Sequence, residues 1–255
     1  MKLTASILTA GIIALSLTSC AAQQQRRGPP PKVIERVLKS APGAAQPSTI
    51  VATELAFARA ARETGQWTAF RQYAAPGAVL HGSKSTFPAE AWLATQKDPP
   101  AAVQWAPRTV VMSCDGATAV SVGRSRTPEG IVGTFMTVWE RQADNSYKWV
   151  YDAGGPDVPQ PPPRKEFDDG NIVVTAIDAV QGLVATCPRA DSPTPPPPAD
   201  SVVGRNPANA TLSRDGTLRW RWESREGGEK FFAAEYYYNG QWITAIEEVL
   251  ASPGN

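Results

Sequence analysis

Residues 105–154 decide the fold. They contain Trp105-Ala-Pro107, Cys114-Asp-Gly116, Gly133-Thr-Phe-Met-Thr-Val-Trp139-Glu-Arg141 and Trp149-Val-Tyr-Asp152-Ala-Gly154. Apolar and aromatic residues alternate in short runs separated by turn residues, the pattern of half-buried antiparallel strands. The alternation predicts strands over 105–113, 117–126, 131–142 and 147–153, with Ala143-Asp-Asn-Ser146 as a tight hairpin turn. Pairing about that turn sets Trp139 near Tyr151 and Val138 near Asp152. Glu140 and Asp152 would then share a face with Met136, Val138 and Val150.

Upstream of the strands the period changes to that of a helix. Ser48 is placed to cap a helix whose stripe is Val51, Leu55, Phe57, Ala58 and Ala61, and Gly65 is a natural stop. A second short helix carries Trp67, Phe70 and Tyr73 and ends at Pro76-Gly77. Ala78-Val-Leu-His-Gly82 reads as a first strand, and Phe87-Pro88 leads into a connecting helix through Leu93.

This order, helices and then an antiparallel sheet of aromatic-rich strands, resembles the SnoaL-like branch of the nuclear-transport-factor-2-like superfamily over residues 48–158. The resemblance implies an α+β fold with a cone-shaped curved antiparallel sheet, N-terminal helices closing its mouth, and a pocket between them. It also implies a homodimer through the open sheet face. The superfamily hosts enzymes, binding modules and assembly domains, so the fold does not fix the function. Its enzymes set carboxylates, His or Tyr inside the cone as acids and bases, but no residue here is assigned as catalytic on that ground.

The polar groups proposed for such a pocket are His81, Glu140 and Asp152, and the aromatic ones are Tyr73, Trp92 and Trp105. Burial would raise a carboxylate toward neutrality and make it a competent base. The competing reading puts Glu140 at the rim, solvated or paired with Lys148, and lets Asp152 hold the Gly154-Gly155 loop. His81, the single histidine, is either a proton shuttle or a hydrogen-bonded strand end. The tryptophans Trp92, Trp105, Trp139 and Trp149 serve either the core or a flat apolar ligand.

Residues 1–20 read as a lipoprotein signal peptide: Lys2, an apolar run from Ile7 to Leu17, then Leu17-Thr-Ser-Cys20. The ending resembles a bacterial lipobox with Cys20 as the lipidated residue, and acyl chains contribute about 0.8 kcal/mol per buried methylene. With Ala21 following, the expected place is the periplasmic face of the outer membrane, held by the lipid anchor. Residues 21–47 form a polar, Pro-rich tether with a possible short helix through Val33, Ile34, Val37 and Leu38.

Residues 159–168 form a Pro-rich linker, and residues 169–250 a β-rich C-terminal region. Strand-like runs fall at Ile172–Ile177 and Leu183–Thr186, with a loop at Pro193–Pro198. An antiparallel β-meander follows over Thr211–Leu250. Its alternation sends Leu218, Trp220 and Trp222 to one face and Arg219, Arg221 and Glu223 to a solvated one. Asn239-Gly240 is a strong type I′ turn signal. A sheet with one apolar face must pack on the first domain or close on itself.

The formal net charge is +1, and neutral without Lys2, which argues against a nucleic-acid partner. No metal-spaced His/Cys cluster and no phosphate loop calls for a cofactor or metal. Beyond Cys20, two cysteines remain. Cys114 and Cys187 are either two buried thiols or a disulfide closing a loop of about 73 residues, worth roughly 4 kcal/mol. Three functions follow: a non-catalytic small-ligand-binding or accessory lipoprotein; an isomerase, dehydratase or hydrolase of a small apolar molecule; and a structural envelope protein.

Overall fold

A computed structural model describes residues 45–162, 179–188, 196–197 and 209–251. The signal peptide with Cys20, nearly all of the tether, the run at 172–177 and most of the Pro193–Pro198 loop lie outside the described residues. Helix α1 (Pro47–Thr64) begins on Pro47, whose fixed φ and missing N–H suit a first turn. That choice moves the start upstream of expectation: Gln46 is the N-cap, and Ser48 lies inside the helix. The buried stripe is Ile50, Glu54, Phe57, Ala58 and Ala61, so an acidic residue stands in the middle of the apolar face.

Gly65, at φ 112°, separates α1 from α2 (Gln66–Tyr73). Asp98, thirty residues downstream, caps α2: its Oδ1 accepts the Trp67 N–H at 2.6 Å and the Thr68 N–H at 3.0 Å, and its Oδ2 the Thr68 hydroxyl at 2.6 Å. A Cβ at residue 65 would stand 2.3 Å from the Asp98 carboxyl carbon, so only glycine fits. Pro76-Gly77 falls in strand β1 (Ala74–His81) instead of ending the helix. Then come β2 (Thr86–Pro88) and α3 (Ala89–Thr95).

Strands β3 (Gln104–Met112), β4 (Thr118–Arg126), β5 (Val132–Arg141) and β6 (Tyr147–Pro156) run antiparallel in sequence order. With β7 (Gln181–Val184) they complete a seven-stranded sheet, ordered β2-β1-β6-β5-β4-β3-β7. The sheet is mixed, because β1 lies parallel to β6 and β7 parallel to β3. A second, antiparallel sheet runs β11-β10-β9-β8, from β8 (Ala210–Leu212), β9 (Leu218–Ser224), β10 (Lys230–Tyr238) and β11 (Gln241–Leu250). The chain is therefore α+β with few helices and a large mixed sheet.

The large sheet is covered on both faces. One face holds Val110, Met112, Trp139, Trp149 and Ala119 against α1, α2 and α3. The other holds Val111, Val120, Met136, Val138 and Tyr151 against Leu218, Trp220, Phe232 and Ile246 of the second sheet. Residues 133–139 of β5 are consequently all buried, where alternation had called for half-burial. The outer face of the second sheet is not a simple solvated one either. Arg219 lies opposite Glu235 across β9 and β10, and the pair is closed at 3.0 and 3.1 Å with Arg219 only 9% exposed. Arg221 Nε reaches the same carboxylate at 3.1 Å.

The two sheets are fastened at one end. Ser113-Cys-Asp115-Gly116 and Ser213-Arg-Asp215-Gly216 form like turns, each with its serine hydroxyl on its aspartate, at 2.7 and 2.6 Å. They dock on each other: Asp115 N–H donates to Asp215 Oδ2 and Cys114 N–H to Thr217 Oγ1, both at 2.9 Å. Cys114 is bonded to Cys187, which follows β7, across 73 residues. Replacing Asp215 with Ala strands the Asp115 N–H and loosens the Thr217 hydroxyl, and urea melts should read a loss of about 2 kcal/mol. Reduction, or Cys187→Ser, should cost roughly 2–4 kcal/mol in the same assay; an unchanged midpoint after reduction would contradict the bond's structural role.

Candidate functional site

A cavity of about 450 Å³ opens between the first two helices and the far ends of β4, β5 and β6. Phe57, Phe70, Trp105, Ile131, Val132 and Phe135 make most of its wall, and Asp152 and Thr137 are set into it. Gln66, Ser125, Thr127 and Glu129 add polar groups. A size and lining of this kind suit a small, largely apolar molecule fixed by a few polar contacts.

Asp152 reaches the cavity because β6 is irregular. Thr137 pairs with Asp152 and Val138 with Tyr151, but Trp139 pairs with Trp149, which leaves Val150 as an extra residue. The bulge shifts the phase by one. Trp149 and Asp152 then share the helix-side face, while Tyr151 turns into the space between the sheets. The predicted pairing of Val138 with Asp152 is therefore corrected, and with it the shared face of Glu140 and Asp152. Thr137 Oγ1 donates to Asp152 Oδ2 at 2.8 Å. Burial in this apolar setting raises the Asp152 carboxyl to about 6, with the Thr137 hydroxyl and the Lys230 ammonium opposing the rise.

Glu54 lies fully buried behind the cavity wall. Ser121 Oγ donates to Oε1 at 2.5 Å, Trp139 Nε1 to Oε1 at 3.1 Å and Trp105 Nε1 to Oε2 at 3.1 Å. Trp105 thus presents its ring to the cavity and its N–H to the carboxylate. Desolvation outweighs these donors and raises Glu54 to about 7, with the Asp152 charge adding to the rise. Two carboxyls raised toward neutrality therefore lie at one apolar space, Asp152 in its wall and Glu54 behind it.

Of the residues singled out from the sequence, Asp152 and Trp105 line the cavity. Tyr73 stacks on Phe57 at 4.9 Å, and Trp92 packs edge-on against Trp67 at 4.9 Å, both in the helix-side aromatic cluster outside the lining. Glu140 is exposed and lies opposite Lys148 in the β5–β6 register, while the Lys148 ammonium is turned to the Gln72 carbonyl. His81 faces away from the cavity, into the junction of the two sheets. Its Nδ1 meets the Tyr151 hydroxyl at 2.7 Å, its Nε2 the Ser224 hydroxyl at 2.9 Å, and Trp222 packs on its ring at 4.8 Å. Burial first, and the Lys230 charge second, lower His81 to about 4, so the imidazole is neutral at pH 7. Glu54, Thr137 and Lys230 went unnoticed in the sequence. The one available signal was a glutamate at a stripe position of α1. Among the described residues, no three His, Cys, Asp or Glu side chains gather as a metal site.

No family model matches the chain, and no curated protein matches it. Among solved structures, one from Shewanella frigidimarina described as a "putative ketosteroid isomerase" is similar to it at 14% identity and a TM-score of 0.28, over 46% of this chain and 97% of that one. A likeness of that size carries no weight for chemistry.

Glu54 has a pH signature of its own. Its folded value lies above the ordinary 4.5, so its contribution to stability is complete below about 4.5 and is lost as pH rises to about 7. The unfolding free energy of the parent, taken relative to Glu54→Gln, should fall by about 3 kcal/mol across that window and then level off. Urea melts of both proteins from pH 4 to 8 check this; a difference that is flat or rises with pH would contradict it.

Proposed function

We propose that the cavity is a proton-transfer site for a small, flat, apolar molecule, with Asp152 as the general base, and that the chain is an enzyme of isomerase or dehydratase type. The carrying observation is the placement of Asp152: a desolvated carboxyl in the wall of an apolar cavity, oriented by the Thr137 hydroxyl. At about 6 it is mostly ionised at pH 7 and still basic enough to accept a proton in the transition state. Of the functions weighed from the sequence, an apolar cavity with a desolvated carboxyl in its wall supports this one over a purely binding or structural role. Gln66, Ser125 and Thr127 offer neutral donors to an oxygen of the substrate.

The finer fold reading is proposed with it: a cone-shaped sheet closed by the N-terminal helices in the manner of the nuclear-transport-factor-2-like superfamily. We likewise propose that Cys20 carries the lipid anchor and that the domain works on the periplasmic face of the outer membrane. The Cys114–Cys187 bond supports an oxidising compartment.

Nitrobenzisoxazole is a flat apolar carbon acid suited to the test. A base removes its one acidic C–H proton, and the electron pair breaks the N–O bond to give a coloured cyanophenolate. Turnover should rise with pH around 6 and level off above it, and Asp152→Asn should lose roughly 100-fold or more while still binding Nile red. Nile red binding without turnover in the parent would overturn the enzyme reading in favour of a binding protein.

A further inference from the structure

The second sheet touches the site through one side chain. Lys230 opens β10 and is only 4% exposed. Its Nζ donates at 2.7 Å to the carbonyl of Gly154, which itself lines the cavity. Gly154 is two residues beyond Asp152 on β6, on the same face and about 7 Å along the strand. A lysine is rarely buried without a charged or hydrogen-bonding reason, because removing an ammonium from water is costly. The carbonyl answers part of that cost, and the nearby carboxylate answers more.

We propose that Lys230 is a positioning residue for Asp152: the appended sheet delivers a buried ammonium to the back of the cavity wall, where it fixes the Gly154 carbonyl and holds the Asp152 carboxylate in its ionised form. The second sheet is thereby part of the working site and not merely a cover for the first. The effect runs both ways, since the Asp152 charge raises Lys230 against the desolvation that lowers it. Other groups bear on the same carboxylate. Glu54 on α1 and the Tyr151 phenol on β6 are both raised by the Asp152 charge, Glu129 shares the cavity wall, and neutral His81 feels the Lys230 charge.

The proposal rests on Asp152 being the base, so its test reads the carboxyl directly as well as turnover. Lys230→Gln keeps a donor for the Gly154 carbonyl and removes the charge, and Lys230→Arg restores the charge. Carboxyl ¹³C NMR should show the Asp152 midpoint moved up in Lys230→Gln by about one unit and largely returned in Lys230→Arg. On nitrobenzisoxazole, Lys230→Gln should lose about fivefold in kcat/KM at pH 6 and little at pH 8. An equal loss at both pH values, or an unmoved Asp152 midpoint, would overturn the proposal and leave Lys230 a packing residue. If the parent shows no turnover, the proposed reaction fails while the NMR midpoint still decides on Lys230. Should Lys230→Gln not fold, reciprocity supplies the second measurement: Asp152→Asn must lower the Lys230 ammonium titration by the same amount, and an unchanged lysine signal overturns the proposal.

Discussion

Both faces of the central strands are apolar, and this constraint shapes everything else. Strands β4 and β5 carry buried residues on successive positions, so neither face can meet water. Helices cover one face and a second sheet the other, each contributing its own core. A single-layer partner would leave aromatic area exposed at a cost of about 25 cal/mol per Å². The cavity exists where the helical layer does not quite reach the strand ends.

Within that frame one irregularity assigns the chemistry. In a regular β6, Tyr151 and Asp152 would exchange faces, sending a carboxylate into the space between the sheets and a phenol into the cavity. The extra residue at Val150 prevents this. The bulge thus serves both layers: it aims Asp152 at the ligand space and gives His81 its Tyr151 partner.

Legibility in the sequence followed the range of the interaction. The hairpins were readable because alternation and turn residues are local, as at Asn145 and Asn239, both with positive φ. The Cys114–Cys187 bond could be named as one of two options because the cysteines are few. The placement of Asp152 was misread because the bulge leaves no mark in the pattern of a short aromatic strand. His81 was ambiguous because its partner Ser224 is 143 residues away. Arg219 and Glu235 alternate outward like surface charges, yet they are buried together. Glu54 was overlooked because the stripe was traced through the apolar residues around it, although a charge in the middle of such a stripe is itself informative.

The two ends of the sandwich are fastened by different kinds of bond. At the turn end, backbone donors and side-chain oxygens join the sheets, and a sulfur bridge ties the end of β7 to the turn that makes those contacts. At the cavity end, the ties include Lys230 on Gly154 and His81 on Ser224. His81 has a depressed folded value, so its stabilising share is present above about 6.5 and is lost as pH falls toward 4. Acid therefore pulls on this end of the molecule in two directions: it charges His81 between the sheets while it neutralises Asp152 and Glu54 on the helix side, so a change of pH moves load from one layer to the other.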